Sequence, residues 1–364
     1  MTGTERRARV IALYLPQYHP IPENDEWWGP GFTEWTNVAK AKPLFRGHYQ
    51  PHIPADLGFY DLRVPETRTA QAEMAGAHGV EAFCYWHYWF AGRRILDRPF
   101  REVLSSKAPD FPFCLGWANQ TWSGIWHGNP GRILIEQTYP GPEDHRAHFR
   151  AVLGAFSDPR YVTVDGKPLF LLYRPREFPG VRQFTDIWRE LAHEAGFPGI
   201  YLVAEAPEPW NPHEWGFDAA LDMSLPDLQG WQPWYRPLRR LRWKWRLIAG
   251  RPTIYRYEDI SEAFVSQGRS TLPHVKRHVS VLPNWDNTPR SGVKGLVLQG
   301  STPELFRRQV GKALAMVATE PFEHRLVFVK SWNEWAEGNC LEPDLRFGRG
   351  YLEALRGEIY GPRN

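Results

Sequence analysis

The chain has 364 residues, 42% of them hydrophobic, and a formal net charge of only +3 at pH 7. These totals argue against a disordered chain, give no electrostatic case for a nucleic-acid partner and suit one large α/β domain. Aromatic residues are unusually frequent, with 18 Trp, 15 Tyr and 20 Phe. Because aromatic rings have flat apolar faces, this composition favours a groove that binds sugars.

The sequence contains no pattern that implies secretion, a membrane span or a bound metal. The first 20 residues lack the apolar region of a signal peptide, and no run approaches the length of a membrane span, so we expect a cytoplasmic protein. The three cysteines have no CxxC spacing. His48 and His52 have a helical metal-ligand spacing, but Pro51 disfavours a helix between them, so we expect no metal and no cofactor.

Short apolar runs recur along the whole chain, and amphipathic segments separate most of them. The predicted strands cover residues 9–15, 79–86, 111–117, 167–173, 199–205, 217–223, 278–285 and 325–332. They are mostly continuous rather than alternating, as in parallel strands that are covered on both faces. The predicted helices cover residues 65–79, 141–158, 181–196, 257–268 and 302–320. Pro65 and Thr302-Pro303 are helix-start signals, and Gly79 is a helix-end signal.

Eight strands that alternate with helices predict a single (β/α)8 barrel over residues 1–364. A doubly wound parallel sheet is the competing fold, but no G-x-G-x-x-G follows the first strand.

Two segments depart from this alternation. Residues 16–64 are rich in Pro, Gly and Trp and lack helical periodicity, which predicts a long active-site loop. Residues 230–252 form a Trp-rich excursion between the sixth and seventh strands, with its basic residues in 234–251. This excursion is either a solvated helical segment on the barrel surface or a contact for a membrane surface or an anionic glycan.

The active site of a barrel lies at the carboxyl ends of its strands, so the residues at those ends are the candidates. Polar and aromatic residues occur at all eight predicted ends and in the first loop. The predicted substrate-binding residues are Tyr14, Glu34, Trp35, Trp86, His87, Trp117, Asn119, Trp122, Tyr173, Glu205, Asp222, Trp285, Asp286, Trp332 and Asn333. Carboxylates together with aromatics and amides are the groups that glycoside chemistry uses.

The stretch "KSWNEWAEGN", residues 330–339, follows the eighth strand and contains Glu334 and Glu337. A spacing of three on a turn puts their Cβ atoms roughly 5–6 Å apart. Such proximity raises the pKa of one carboxyl relative to the other, so one can be protonated while its neighbour is ionised. We predict that this pair is catalytic.

Several of the candidates have a structural alternative. Glu34 is either an acidic site residue or a residue that holds the first loop through backbone N–H groups. Glu205 and Asp222 either belong to the site or form ion pairs and caps within the rim. The tryptophans of the first loop, at positions 27, 28 and 35, either stack on sugars or form a small satellite core, which we favour for at least one of them.

Five stretches of the sequence resemble known proteins. They are "LYLPQYHPIPENDEWWGPGFTEWTNV" (13–38), "GVEAFCYWHYWF" (79–90), "WANQTW" (117–122), "NWDNTPR" (284–290) and "SWNEWAEGN" (331–339). The motif "NEWAEG" resembles the E-W-H-E-G motif of the family 99 endo-α-mannosidases, which are retaining glycoside hydrolases with a (β/α)8 barrel. The chain as a whole is more similar to the WbsX-type, family-99-like proteins of bacterial polysaccharide gene clusters.

This resemblance implies roles for the two glutamates. In family 99 the first Glu of the motif acts as a base on the substrate 2-hydroxyl and so forms a 1,2-anhydro sugar, while the second serves as acid and then as base. By position, Glu334 would be the base and Glu337 the acid/base. Ala336 stands where the hydrolases carry His, so a possible ligand contact is missing here.

Three functions fit the sequence, and all of them have an oligosaccharide or polysaccharide as partner. The first is a glycosidase that cleaves a bacterial glycan. The second is a glycosyltransferase that builds one, because WbsX-type proteins often carry that label. The third is a non-catalytic glycan-binding protein, for which two close carboxylates on one turn would be unnecessary.

Overall fold

The computed structural model describes residues 6–124, 129–226 and 250–361, and its centre is a closed sheet of eight parallel strands. The strands are β1 Arg9–Tyr14, β2 Ala82–Phe90, β3 Phe113–Trp117, β4 Lys167–Leu172, β5 Tyr201–Glu205, β6 Ala219–Leu221, β7 Arg277–Val281 and β8 Leu326–Val329. Each strand pairs in parallel with the next, and β8 pairs with β1. This closure confirms the (β/α)8 barrel over the doubly wound sheet.

The described helices are α1 Pro22–Trp28, α2 Glu34–Lys40, α3 Pro65–Ala77, α4 Arg98–Ser106, α5 Pro142–Phe156, α6 Val181–Glu194, α7 Tyr257–Ser266, α8 Thr288–Ser291, α9 Pro303–Val317 and α10 Gly350–Tyr360. All five predicted helices are present, as α3, α5, α6, α7 and α9. The start signals are confirmed, because Pro65 is the first residue of α3 and the Thr302 hydroxyl accepts a hydrogen bond from the Leu305 N–H (3.3 Å) at the start of α9. Helices α4, α8 and α10 were not predicted, nor were α1 and α2, which lie in the segment predicted as a loop.

Short antiparallel strands add to the rim of the barrel. Residues Arg93–Ile95 pair with the end of β2, and Trp122–Gly124 pairs with Asn129–Ile135. Residues Asn333–Glu334 pair with Asn339–Cys340, directly after β8. These short strands extend the barrel at the end where its parallel strands finish.

The strands are apolar because both of their faces are covered. Strand β3 is buried along its whole length, and so are β7 and β8. Burying a Val, Leu or Phe side chain completely contributes about 1.5–3 kcal/mol. The barrel therefore provides the stable frame that holds the rim residues in place.

The segment over 16–64, predicted as a loop, contains the two short helices α1 and α2. Helix α2 begins with a capping box, in which the Thr33 hydroxyl accepts from the Trp35 N–H (3.3 Å) and Thr36 bonds back to Thr33. A helix of seven residues spans about two turns, which is too short to show a clear 3.6-residue period. Capping and packing, rather than periodicity, therefore determine α2.

The predicted basic excursion over 230–252 lies, except for its last three residues, outside the described residues. Of the helices that the structure describes, none combines the length and the hydropathy needed to cross a bilayer.

Candidate active site

A tight turn carries Glu334 and Glu337 at the end of β8. Residues Trp335–Glu337 form a 3₁₀ turn, and Gly338 ends it at φ 58°, in the left-handed region. A Cβ atom on Gly338 would lie 3.0 Å from the Cβ of Asp286, so both conformation and space require glycine. The Asp286 N–H donates to the Glu337 carbonyl (2.6 Å), which fixes the turn against the segment after β7.

One arginine, Arg290 on α8, binds both glutamates. Its Nη1 donates to Glu337 Oε1 (2.7 Å) and its Nη2 to Glu334 Oε1 (2.9 Å). Its Nε donates to Oε2 of a third carboxylate, Glu34, the first residue of α2 (3.1 Å). These four residues form the Arg290 cluster, and no side chain among them is more than 14% exposed.

Burial and charge make the carboxyls of the Arg290 cluster unequal. Burial raises the pKa of Glu337 to about 7, and the negative charge of Glu334 adds to this, while Arg290 and Lys330 oppose it. Burial alone would lower the pKa of Arg290, but its three carboxylate neighbours raise it well above the usual value. Glu337 is therefore a carboxyl that carries a proton close to neutral pH, beside a guanidinium that stays charged.

A cavity of about 440 Å³ opens beside the cluster. Its walls include the aromatic side chains of Trp28, Phe32, Tyr88 and Trp122, the amides of Gln17 and Gln120, and the charged groups of Glu34, Arg174, Arg290 and Glu334. The Trp122 ring stands edge-on to Tyr88, with ring centroids 5.1 Å apart. Aromatic faces beside fixed polar groups are the features with which proteins bind sugars.

A second group of predicted residues lies around Lys330. Burial raises the pKa of Glu205 to about 7, Lys330 lowers it and Asp222 raises it, so these three charged groups are neighbours. The Lys330 ammonium lies 5.1 Å from the centre of the Trp285 ring and donates to the Met223 carbonyl (2.6 Å).

Tyr173 and Trp86 adjoin this group. Burial raises the pKa of Tyr173 to about 12, and the charges of Glu205 and Glu337 add to the effect. The Tyr173 ring stands 5.4 Å from that of Trp86. The charge of Lys330 lowers the pKa of Glu337, and the charge of Glu337 raises that of Tyr173, so this group adjoins the Arg290 cluster at the mouth of the barrel, the end at which its strands finish.

Asp222 is also tied locally, because its Oδ1 accepts from the Ser224 N–H (3.0 Å) and hydroxyl (2.5 Å). This arrangement matches the capping alternative for Asp222. The carboxylate of Glu34, by contrast, binds the side chains of Arg290 and Asn37 rather than backbone N–H groups, and it lines the cavity.

Four predicted substrate-binding residues lie elsewhere. The Tyr14 hydroxyl donates to Gln71 Oε1 on α3 (2.7 Å), and His87 Nε2 lies 2.8 Å from His148 Nε2 on α5. The Trp117 ring packs 4.6 Å from that of His148, and the fully buried Trp332 packs 5.2 Å from Phe83. Successive strand residues point to opposite faces, so a residue at a strand end can face the helices instead of the mouth. These four side chains therefore pack against helices or neighbouring rings and do not line the cavity beside the Arg290 cluster.

Two further candidates hold segments together. Asn119 Oδ1 accepts from the Arg174 N–H (2.7 Å), and its Nδ2 donates to the Arg174 carbonyl (3.0 Å). Asn333 makes the same pair of bonds to Leu15, at 2.7 and 3.0 Å. Each Nδ2 also donates to a tyrosine hydroxyl, that of Tyr139 for Asn119 (2.9 Å) and that of Tyr60 for Asn333 (3.3 Å), so both amides position the rim.

Asp286 and Trp35 also hold the long first loop. Asp286 Oδ2 lies 2.7 Å from His48 Nε2 and accepts from Gln50 Nε2 (2.7 Å). Burial raises the pKa of Asp286, but hydrogen bonds from His48, Thr288 and Gln50 outweigh this and hold it below its usual value. The Trp35 ring packs 5.0 Å from Tyr60 and its Nε1 donates to the Tyr60 carbonyl (2.7 Å), which is the satellite-core alternative.

Arg290 and Lys330 were missed as site residues, although both lie within the quoted stretches 284–290 and 330–339. A single Arg or Lys forms no recognisable sequence motif. Its role becomes apparent only from the carboxylates that lie beside it in the folded chain. Among the residues that the structure describes, no group of three or more His, Cys, Asp or Glu is placed to hold a metal ion.

A family model described as "Glycosyltransferase WbsX" matches residues 10–355. The chain belongs to the WbsX family. It is 38% identical over 359 residues to "Uncharacterized protein WxcX" from two strains of Xanthomonas campestris pv. campestris. The match covers 96% of this chain and 49% of WxcX, so the chain spans about half the length of these curated relatives.

Solved structures show the same fold at low sequence identity. The GH99 endo-alpha-mannosidase from Bacteroides thetaiotaomicron matches with a TM-score of 0.54 and 15% identity, over 97% of this WbsX-family chain and 96% of the mannosidase. Its complex with bis-tris-propane gives 0.56 and 14%, over 96% of both chains. A "Glycoside hydrolase-like protein" gives 0.53 and 16%, over 99% of this chain and 95% of its own.

Proposed function

We propose that this WbsX-family protein is a retaining glycosidase that cleaves a bacterial oligosaccharide or polysaccharide, with Glu337 as acid/base and Glu334 as base. The observation that carries the proposal is the Arg290 cluster. One guanidinium joins the two carboxyls. Glu337 has a pKa of about 7, and Glu334 lines a cavity with aromatic walls. An acid and a base in different protonation states are what the reaction needs.

In the first step the protonated Glu337 gives its proton to the leaving glycosidic oxygen as the bond from that oxygen to C1 breaks. Glu334 removes the proton of the substrate 2-hydroxyl, whose oxygen bonds to C1 and forms a 1,2-anhydro sugar, the route that the resemblance implies. In the second step Glu337 takes a proton from water and the water oxygen attacks C1. The bond from C1 to the 2-oxygen breaks, and Glu334 returns its proton to that oxygen. Two displacements at C1 retain its configuration.

The family's description favours a second candidate function, glycosyl transfer from an activated sugar. The charge of the Arg290 cluster weighs against it, since three carboxylates surround one guanidinium. A diphosphate leaving group would add negative charge next to Glu34 and Glu334 and would be repelled. Hydrolysis does not carry this electrostatic cost.

The test is a screen of defined α- and β-linked glycans, in which NMR follows the anomeric configuration of the product. We expect turnover without a nucleotide sugar and a product of retained configuration. Glu337→Gln should lower kcat by about 10²–10⁴-fold, while calorimetry should still detect glycan binding.

The matched control is Glu262→Gln, which neutralises an exposed glutamate on α7 that pairs with Lys312. Its kcat should equal that of the wild type. Turnover only in the presence of a nucleotide sugar would establish transfer instead, and undiminished turnover by Glu337→Gln would refute the assigned acid.

A further inference from the structure

The proposed reaction steps leave Arg290 and Glu34 without a role, although both belong to the Arg290 cluster. We propose that Arg290 is the positioning residue of this reaction and that Glu34 acts through it. One guanidinium sets the separation and orientation of Glu334 and Glu337, and Glu34 holds its remaining edge. This inference rests on the proposed function.

The hydrogen bonds use separate edges of the guanidinium. Nη1 serves Glu337 and Nη2 serves Glu334, while Oε2 of Glu34 lies 3.1 Å from both Nε and Nη2. A guanidinium is planar and its donors have fixed directions, so three carboxylates on it cannot turn independently. A lysine ammonium would supply the charge without this fixed geometry.

The cluster also makes the long first loop part of the catalytic unit. Glu34 begins α2, and its backbone N–H donates to the Gln17 carbonyl (3.1 Å). The next residue, Trp35, packs on Trp335 of the catalytic turn, with ring centroids 5.7 Å apart. The segment over 16–64 therefore reaches Glu334 and Glu337 through a buried carboxylate, 6% exposed, rather than only covering them.

The two residues act on Glu337 with opposite signs. The positive charge of Arg290 lowers the pKa of Glu337, and the negative charge of Glu34 raises it. Glu337 must be protonated to act as the acid, so activity falls as pH rises through its pKa. Removing Arg290 should move this basic limb to higher pH, and removing the charge of Glu34 should move it to lower pH. A residue that only stabilises the fold would not produce opposite shifts.

The experiment compares pH–rate profiles of Arg290→Met, Arg290→Lys and Glu34→Gln. We expect Arg290→Met to lower kcat by about 10²-fold, the size of a misplaced catalytic group, and to move the basic limb upward. Arg290→Lys keeps the positive charge, so the basic limb of its pH–rate profile should stay near that of the wild type. Its kcat should fall, because an ammonium lacks the fixed donor directions of the guanidinium. Glu34→Gln should move the limb downward.

The control is Arg182→Gln, which breaks an exposed pair with Asp186 on α6 and should change neither kcat nor the limb. If Arg290→Met does not fold, Arg290→Lys and Glu34→Gln decide the question. Equal shifts in one direction, or full kcat in Arg290→Lys, would overturn the proposal.

A second readout does not depend on turnover. Carboxyl carbons of ¹³C-labelled Glu are titrated by NMR, and the Glu337 signal is assigned by its loss in Glu337→Gln. Opposite shifts of the Glu337 titration in the Arg290 and Glu34 variants would support the arrangement even if no glycan were cleaved. Failure of the proposed function and failure of this inference would thus be told apart.

Discussion

Two buried glutamates near the turn that follows β8 each have a pKa of about 7, yet their surroundings differ. Glu337 lies in the Arg290 cluster. Glu342 lies behind the turn, where Oε1 accepts from Gln71 Nε2 (2.6 Å) and Oε2 accepts from the Tyr60 hydroxyl (2.8 Å) and Trp335 Nε1 (2.6 Å). We refer to Glu342 and these three donors as the Glu342 cage.

Burial is the main cause of the raised pKa in both places. For Glu337 the next influences are charges, those of Glu334 and Arg290. For Glu342 they are the neutral hydrogen-bond donors of the cage, which lower the pKa. A raised pKa therefore marks burial, and a catalytic role needs charged neighbours and a place at the mouth as well.

The largest difference that we expect between Glu337 and Glu342 is in turnover. Glu337→Gln should lower kcat by about 10²–10⁴-fold because the acid is lost. Glu342→Gln should change kcat by less than about tenfold, a difference of about 1.4 kcal/mol in the barrier, since its amide oxygen can still accept from Tyr60 and Trp335. Steady-state kinetics on one cleaved glycan measures both. Equal losses in the two variants would show that the Glu342 cage takes part in the chemistry.

Removing the Glu342 carboxyl should instead reduce stability. Glu342→Ala leaves Gln71, Tyr60 and Trp335 with buried donors that have lost their acceptor, and each such group costs about 1–3 kcal/mol. We expect the free energy of unfolding to fall by roughly 3–5 kcal/mol, as measured by chemical denaturation. Glu342→Gln is the matched control and should lose much less. A loss below about 1 kcal/mol in Glu342→Ala would mean that water replaces the carboxyl.

The barrel could be predicted from the sequence because its strands are continuous apolar runs, and such runs report burial on both faces. Helix α10 could not. It begins at Gly350 and contains Gly357, both poor helix formers, and its packing, such as that of Tyr351 on Phe306 (5.6 Å), outweighs propensity.

The site residues also differ in whether the sequence could predict them. The order of residues along one turn predicts Glu334 and Glu337 as neighbours. Sequence order does not say which of Trp86 and His87 faces the mouth, since adjacent strand residues point in opposite directions and one residue of register decides between them. Arg290 could not be predicted, because it is distant in the chain from both Glu34 and the turn that carries Glu334 and Glu337, and the three segments meet only in the folded barrel.

The pH dependence of stability separates the two glutamates further. The folded-state pKa of Glu342 is raised, so its stabilising contribution is complete below the unfolded value of about 4.3. The contribution is lost as pH rises through about 7. The pKa values of Glu337 and Glu205 are also raised to about 7, so these two groups affect stability over the same pH range.

Between about pH 4.5 and pH 7 we therefore expect Glu342 to remove roughly 2–3 kcal/mol from the free energy of unfolding. The buried His87, His148 and His278, whose pKa values are lowered by burial, act in the opposite direction over part of this range. Glu342→Gln cannot ionise, so its free energy of unfolding, measured by denaturation curves, should rise relative to that of the wild type as the pH increases over this range. Identical slopes against pH for the two proteins would mean that the Glu342 carboxyl titrates normally.

The smallest effect comes from a site remote from both glutamates, and it tests whether lost stability alone lowers turnover. Thr302→Ala removes the hydroxyl that accepts from the Leu305 N–H at the start of α9. Loss of such a cap costs about 1 kcal/mol. We expect denaturation to show this loss, while kcat and the pH–rate profile stay as in the wild type, since neither the Arg290 cluster nor the Glu342 cage includes α9. If Thr302→Ala also lowered kcat, a fall in kcat could not by itself be assigned to the chemistry of Glu337, and the contrast with Glu342 would rest on the pH profiles alone.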